Sequence, residues 1–74
     1  MDKAIILNKI RKLRFQNHEM TQQELADKTG VTRQTIHSIE NGKYFPTLEL
    51  AFRISREFGL SIEDVFIWKE EEED

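Results

Sequence analysis

The chain has 74 residues and no cysteine, with 34% charged and 38% hydrophobic side chains and a formal net charge of -3. That length bounds it to one small domain with a modest core, and the lack of cysteine excludes disulfide staples, thiolate metal sites and cysteine nucleophiles. The longest apolar run near the N-terminus, residues 4–7, is too short for a signal-peptide core or a membrane span, so a reducing, cytoplasmic setting is expected.

Residues 1–7 admit two readings. Ile6, Ile10 and Leu13 have helical spacing, which would carry the first helix to the N-terminus. Ile5, Ile6 and Leu7 are β-prone, however, and Asn8 is a suitable N-cap just behind them. The favoured expectation is a short strand over residues 3–7 and a helix over 8–16. Lys9, Arg11, Lys12 and Arg14 surround the apolar Ile10 and Leu13 on that helix, and Lys9 and Lys12 read as ordinary solvated charges.

Residues 21–41 carry the clearest pattern. Thr21 with Glu24 three residues on predicts a reciprocal capping box, flanked by Met20 and Leu25 as a hydrophobic staple. Thr32 opens a second helix with Val31 and Ile36 in the staple positions. Gly30 falls where the first of the two helices must end in a left-handed residue. Ala26, four residues earlier, leaves room for the second helix to cross. Ile36 and Ile39 give that helix one buried stripe, so Arg33, Gln34, His37 and Ser38 share its other side. Arginine and glutamine can each make two hydrogen bonds to the edge of one base, and these two fall in the first turn, the part of such a helix that reaches deepest into a major groove. A merely solvated polar face is the alternative; the caps, the glycine, the alanine and the isoleucines at fixed offsets weigh against it.

Asn41-Gly42 is a helix stop, and Pro46 blocks extension before Thr47 caps the next helix. That helix, residues 48–58, is expected to align Leu48, Ala51, Ile54, Ser55 and Phe58 on its inner face. Gly59 ends it, and Ser61 with Asp64 caps a last short helix stapled by Leu60 and Val65. Val65, Phe66, Ile67 and Trp68 then form a dense apolar run. If the run is extended, bulky side chains face both ways and one monomer core cannot cover both. Pairing with residues 3–7 would make a two-stranded sheet with a face left for a twin subunit; the alternative is a last helix that continues and frays. Residues 70–74 are all acidic, and without them the chain holds eleven basic against nine acidic residues, a net of +2 for residues 1–69. The expected division is therefore a domain over 1–69 and a disordered acidic tail over 70–74. A tail that mimics DNA and competes for the basic surface is the sharper alternative.

Gln22, Leu25, Ala26, Gly30, Val31, Ile36, Ile39, Glu40, Asn41 and Gly42, followed by P-T-L-E-L-A at 46–51 and S-I-E-D-V-F at 61–66, resemble the Cro/repressor-type (XRE-like) helix-turn-helix family. The likeness covers roughly residues 8–68, nearly the whole chain. It implies an all-α, five-helix, lambda-repressor-like domain; compact regulators of this kind add a terminal two-stranded sheet and form dimers. It also implies that residues 32–38 enter the major groove, with Arg33 and Gln34 contacting bases and His37 and Ser38 as secondary readers. Gln22 would clamp a phosphate, Thr32, Thr35, Asn41, Lys43 and Tyr44 would hold the backbone, and Arg14 would pair with Glu40. Thr35 could meet a thymine methyl instead. Two departures stand out. The loop 17–19 is one residue longer than usual, and Phe45 stands where a smaller or polar residue is common.

The resulting expectation is a sequence-specific regulator of double-stranded DNA, a repressor acting as a homodimer on a palindromic operator, with Phe66, Ile67 and Trp68 at the dimer interface. No cofactor or metal is expected, since His18 and His37 lack a second ligand at metal spacing. No membrane association is expected, and no enzyme, because no serine sits with a histidine and an acid in a nucleophile context. The other function class is a protein-interaction module of the same fold, such as an antitoxin or a coactivator with a protein partner, which the acidic tail and the apolar run favour.

Overall fold

A computed structural model describes residues 3–71. The chain runs β1 (Lys3–Asn8), α1 (Ile10–Gln16), α2 (Gln22–Thr29), α3 (Arg33–Glu40), α4 (Leu48–Glu57), α5 (Ile62–Val65) and β2 (Phe66–Glu71). Five helices and one two-stranded antiparallel sheet are the expected architecture. The strand reading holds at both ends of the chain: β1 and β2 pair in a register that sets Ile6 opposite Trp68 and Asn8 opposite Phe66.

Helix α1 starts at Ile10 rather than Asn8, because Asn8 completes β1. Asn8 still serves the helix, since its Oδ1 accepts from the Ile10 amide at 3.2 Å. Its Nδ2 donates to the Ile39 carbonyl at 2.9 Å, which pins the end of β1 to α3. At the other end the Lys9 amide donates to the Val65 carbonyl at 2.9 Å, where α5 passes into β2.

The core lies between α1, α2, α3, α4 and α5. Ile10, Met20, Leu25, Ala26, Ile36, Ile39, Leu50, Ile54 and Val65 are buried in it, and Leu13, Val31, Phe58 and Phe66 pack on its border. The inner face of α4 differs from expectation at one position. Leu50 is buried and Leu48 is 70% exposed. At about 100° per residue, Leu48 lies roughly a quarter-turn from the centre of the stripe that Leu50, Ala51, Ile54, Ser55 and Phe58 define. Thr29 and Ser55 are buried polar groups that stay satisfied by donating to the Leu25 carbonyl at 2.7 Å and the Ala51 carbonyl at 2.8 Å.

The molecule measures 42 × 21 × 19 Å. The β1–β2 ribbon stays exposed at Ile5 and Leu7 on one face and at Trp68 on the other. The ribbon runs two residues into the acidic stretch, through Glu70 and Glu71. The expected disordered tail falls in part on residues 72–74, which lie outside the described residues.

Candidate nucleic-acid interface

Helix α2 begins with the expected capping box. The Glu24 amide donates to Thr21 Oγ1 at 3.0 Å, and the Thr21 amide donates to Glu24 Oε1 at 3.2 Å. It ends at Gly30 with φ 78° and ψ 29°, and the Gly30 and Val31 amides both donate to the Ala26 carbonyl. This left-handed residue turns the chain sharply into α3. A Cβ at Gly30 would meet Arg53 Nη1 at 3.5 Å, an ordinary contact. Glycine is required there for its backbone, not for space.

Thr32 caps α3, accepting from the Thr35 amide at 3.2 Å, and the two hydroxyls bond each other at 3.0 Å. Behind this turn Ile36 and Ile39 are fully or almost fully buried. A helix that buries two isoleucines three apart must present the rest of its circumference outward, and Arg33, Gln34 and His37 are exposed there. Ser38 and Thr35 are half-buried. Neither Arg33 nor Gln34 has a hydrogen-bond partner among the described residues, so both long side chains stand available to a ligand.

The C-terminal half of α3 is tied down. Arg14 grips Glu40 with Nε to Oε2 at 2.7 Å and Nη2 to Oε1 at 3.0 Å, and its Nη1 donates to the Met20 carbonyl at 2.8 Å. Gln22, the first residue of α2, donates from Nε2 to Glu40 Oε1 at 3.2 Å, and the same nitrogen lies 3.4 Å from His37 Nδ1. His37 Nε2 in turn lies 3.0 Å from the Asn41 side-chain amide. A neutral imidazole has one donor and one acceptor. Both of its ring nitrogens here face amide N–H donors, Gln22 Nε2 and Asn41 Nδ2, so such a ring accepts from only one of the two at a time.

Sequence reasoning placed Gln22, His37 and Asn41 as separate groups; the structure joins them in one chain of contacts anchored on the Arg14–Glu40 pair. The His37–Asn41 contact is an i, i+4 pair, but nothing in the spacing signals the approach of Gln22, which depends on how α2 packs against α3. Lys43 and Tyr44 are exposed beyond α3, and the Lys43 amide closes the turn on the Ser38 carbonyl at 2.9 Å. Phe45 is 59% exposed, so it is no core residue. Phe66 and Ile67 are half-buried and Trp68 is 62% exposed, all well removed in sequence from α3.

The described residues include no group of three His, Asp or Glu side chains placed to hold a metal ion. None of their helices is long and apolar enough to cross a membrane.

Residues 10–65 match the helix-turn-helix family. The chain is 56% identical over 55 residues to a protein of Methanocaldococcus jannaschii, covering 74% of this chain and 83% of that one. It is 57% identical over 53 residues to one from Archaeoglobus fulgidus, covering 72% and 75%. It is 46% identical over 65 residues to YgzD of Bacillus subtilis, covering 88% and 96%. All three carry the name of uncharacterized helix-turn-helix-type transcriptional regulators.

Proposed function

Because the chain belongs to the helix-turn-helix family, we propose that it is a DNA-binding transcription regulator, a cytoplasmic repressor that holds a palindromic operator as a homodimer. The observation that carries this reading is the pair Arg33 and Gln34, exposed together in the capped first turn of α3 while Ile36 and Ile39 hold the opposite side in the core. A forked donor, the Arg33 guanidinium, and an amide that both donates and accepts, that of Gln34, on the leading turn of a rigid helix match what reading a guanine and an adenine edge demands. His37 and Ser38, further along the same helix, act as secondary readers.

Gln22 stands at the start of α2 with its amide beside the α3 face, suited to a phosphate. Thr32, Thr35, Asn41, Lys43 and Tyr44 line the approach on either side of α3 and contact the DNA backbone. A net charge of -3, and only +2 over residues 1–69, makes these local contacts the main source of affinity, so binding to random DNA is weak. The ribbon offers apolar surface for self-association on both faces, Ile5 and Leu7 with Ile67 on one and Trp68 with Phe66 on the other. Dimerisation would place the two α3 helices about 34 Å apart, which sets half-sites about 10 base pairs from centre to centre.

Selection from a random duplex pool, followed by binding isotherms on the selected operator and on scrambled duplexes, tests this. Arg33→Ala should lose roughly 1–3 kcal/mol on the operator and relax preference at one base pair, whereas Lys43→Ala should weaken all duplexes alike. If both substitutions scale every duplex equally, Arg33 does not read a base. An apolar ribbon also suits a partner protein. In that case capture would persist at salt concentrations that abolish DNA binding.

A further inference from the structure

Beside the base of the ribbon lies an open groove of about 680 Å³ that the DNA reading does not use. Arg11, Lys12 and Phe15 of α1 and Lys9 just before it line it together with Asn8 and Glu40. The carboxylate of Glu40 is engaged by Arg14, which leaves three exposed cations on the groove wall. Arg11 lies over the Phe15 ring at 5.6 Å, and Phe15 is itself 53% exposed. The groove thus offers a positive strip on one helix, with no acidic side chain of α1 to balance it.

We propose that this groove receives the acidic C-terminal segment of a second copy of the chain, so that the residues from Glu70 onward clasp Lys9, Arg11 and Lys12 across the dimer. This rests on the homodimer reading above and specifies how that dimer is held. Three observations carry it. The first is charge: the chain's one run of like charge is acidic and covers residues 70–74, and the groove wall is basic.

The second is continuity. In an antiparallel pair, opposed residues point to the same face, so Ile6, Asn8, Phe66, Trp68 and Glu70 share one side of the ribbon. Trp68 Nε1 donates to Glu70 Oε1 at 3.2 Å on that side. Asn8, at the inner end of this face, is also a wall of the groove. The exposed Trp68 face and the groove therefore form one continuous surface.

The third is symmetry. A two-fold dimer places residue i against j and j against i. Two six-residue strands, each about 20 Å long, laid face to face with their tips pointing opposite ways bring the middle of one ribbon, at Ile6 and Trp68, onto the middle of the other. Each tip then falls at the other copy's base. Glu70 arrives beside the other copy's Asn8 and Lys9, and the acidic residues after it are in reach of Arg11 and Lys12. The same chain cannot fill its own groove this way, because its β2 leads from the base toward the tip.

Sedimentation equilibrium of the full chain at low and high ionic strength tests the clasp. Neutralising the acidic run (E70Q/E71Q/E72Q/E73Q/D74N) should raise the dimer dissociation constant roughly tenfold at low ionic strength, with the difference vanishing in high salt. Reversing the groove (K9E/R11E/K12E) should do at least as much. Combining that reversal with lysines at positions 70–74 should restore the dimer. All substituted groove positions are solvent-exposed, and circular dichroism checks that the fold persists. If all variants dimerise like the parent, the clasp is wrong while the homodimer stands. If the parent is monomeric throughout, both fail together. If the groove reversal lowers affinity for duplex DNA without touching self-association, the strip is a phosphate contact and the clasp is overturned.

Discussion

Arg14 and Glu40, 26 positions apart, close a two-pronged ion pair whose side chains are only 7% and 6% exposed. The pair ties the last turn of α3 to α1 and, through the Met20 carbonyl, to the entry of α2. A carboxylate at a helix C-terminus is unfavourable by itself, so Glu40 depends on the guanidinium. The pair fixes geometry more than it adds net stability. Leaving one partner alone is another matter. Glu40→Ala should lower the unfolding free energy by about 3–5 kcal/mol, and replacing both residues by apolar ones of similar volume should recover much of it. Urea denaturation decides. A loss below about 1 kcal/mol would mean that the pair behaves as an exposed one.

The Gln22 amide contacts both Glu40 and His37, so the proposed phosphate clamp and the proposed secondary reader should not act independently. Gln22→Ala and His37→Ala, measured singly and together on the operator, should depart from additivity by more than about 0.5 kcal/mol. Gln22→Ala with Lys43→Ala should add, since no contact joins those side chains among the described residues. Additivity in the first cycle would show the His37 contact to be irrelevant to binding.

His18 and Glu19 both adopt left-handed backbone angles, φ 57° and 53°, in the loop between α1 and α2. Side chains with a Cβ are strained there by roughly 1–2 kcal/mol per residue relative to the right-handed region, while glycine gives back part of the gain through its looser unfolded chain. His18→Gly should therefore stabilise the fold, by about 0.5–1 kcal/mol. Gly30→Ala, under the same backbone argument, should destabilise it by about 1 kcal/mol. Thermal unfolding of both variants checks the signs, and a stabilised Gly30→Ala would contradict the argument outright.

Trp68 is 62% exposed on the ribbon, and its loss should matter only where copies meet. Trp68→Ser should raise the dimer dissociation constant at least roughly tenfold, as expected for a buried aromatic anchor. The unfolding free energy of the monomer should change by no more than about 0.5 kcal/mol. Sedimentation and denaturation, run on the same preparation, separate the two quantities. An unchanged dimer would move the interface elsewhere.

Much of this protein was legible in its sequence because the signals are local. The Thr21–Glu24 box, the Gly30 turn, the Thr32 cap and the Ile36/Ile39 stripe each depend on residues within four positions of one another, and these decide where α2 and α3 start, stop and face. The two β-prone ends were legible as candidates only, since a lone strand has no partner for its backbone groups until the other end of the chain supplies one. Folding decided that pairing through the register of Ile6 with Trp68. Tertiary packing also exposed Leu48 in favour of Leu50, and it gathered Gln22, His37 and Asn41 onto the Arg14–Glu40 pair. Caps and turns are written in neighbouring residues, whereas a contact between side chains many positions apart exists only once the helices have chosen their crossing, and one sequence read by itself carries no record of that choice.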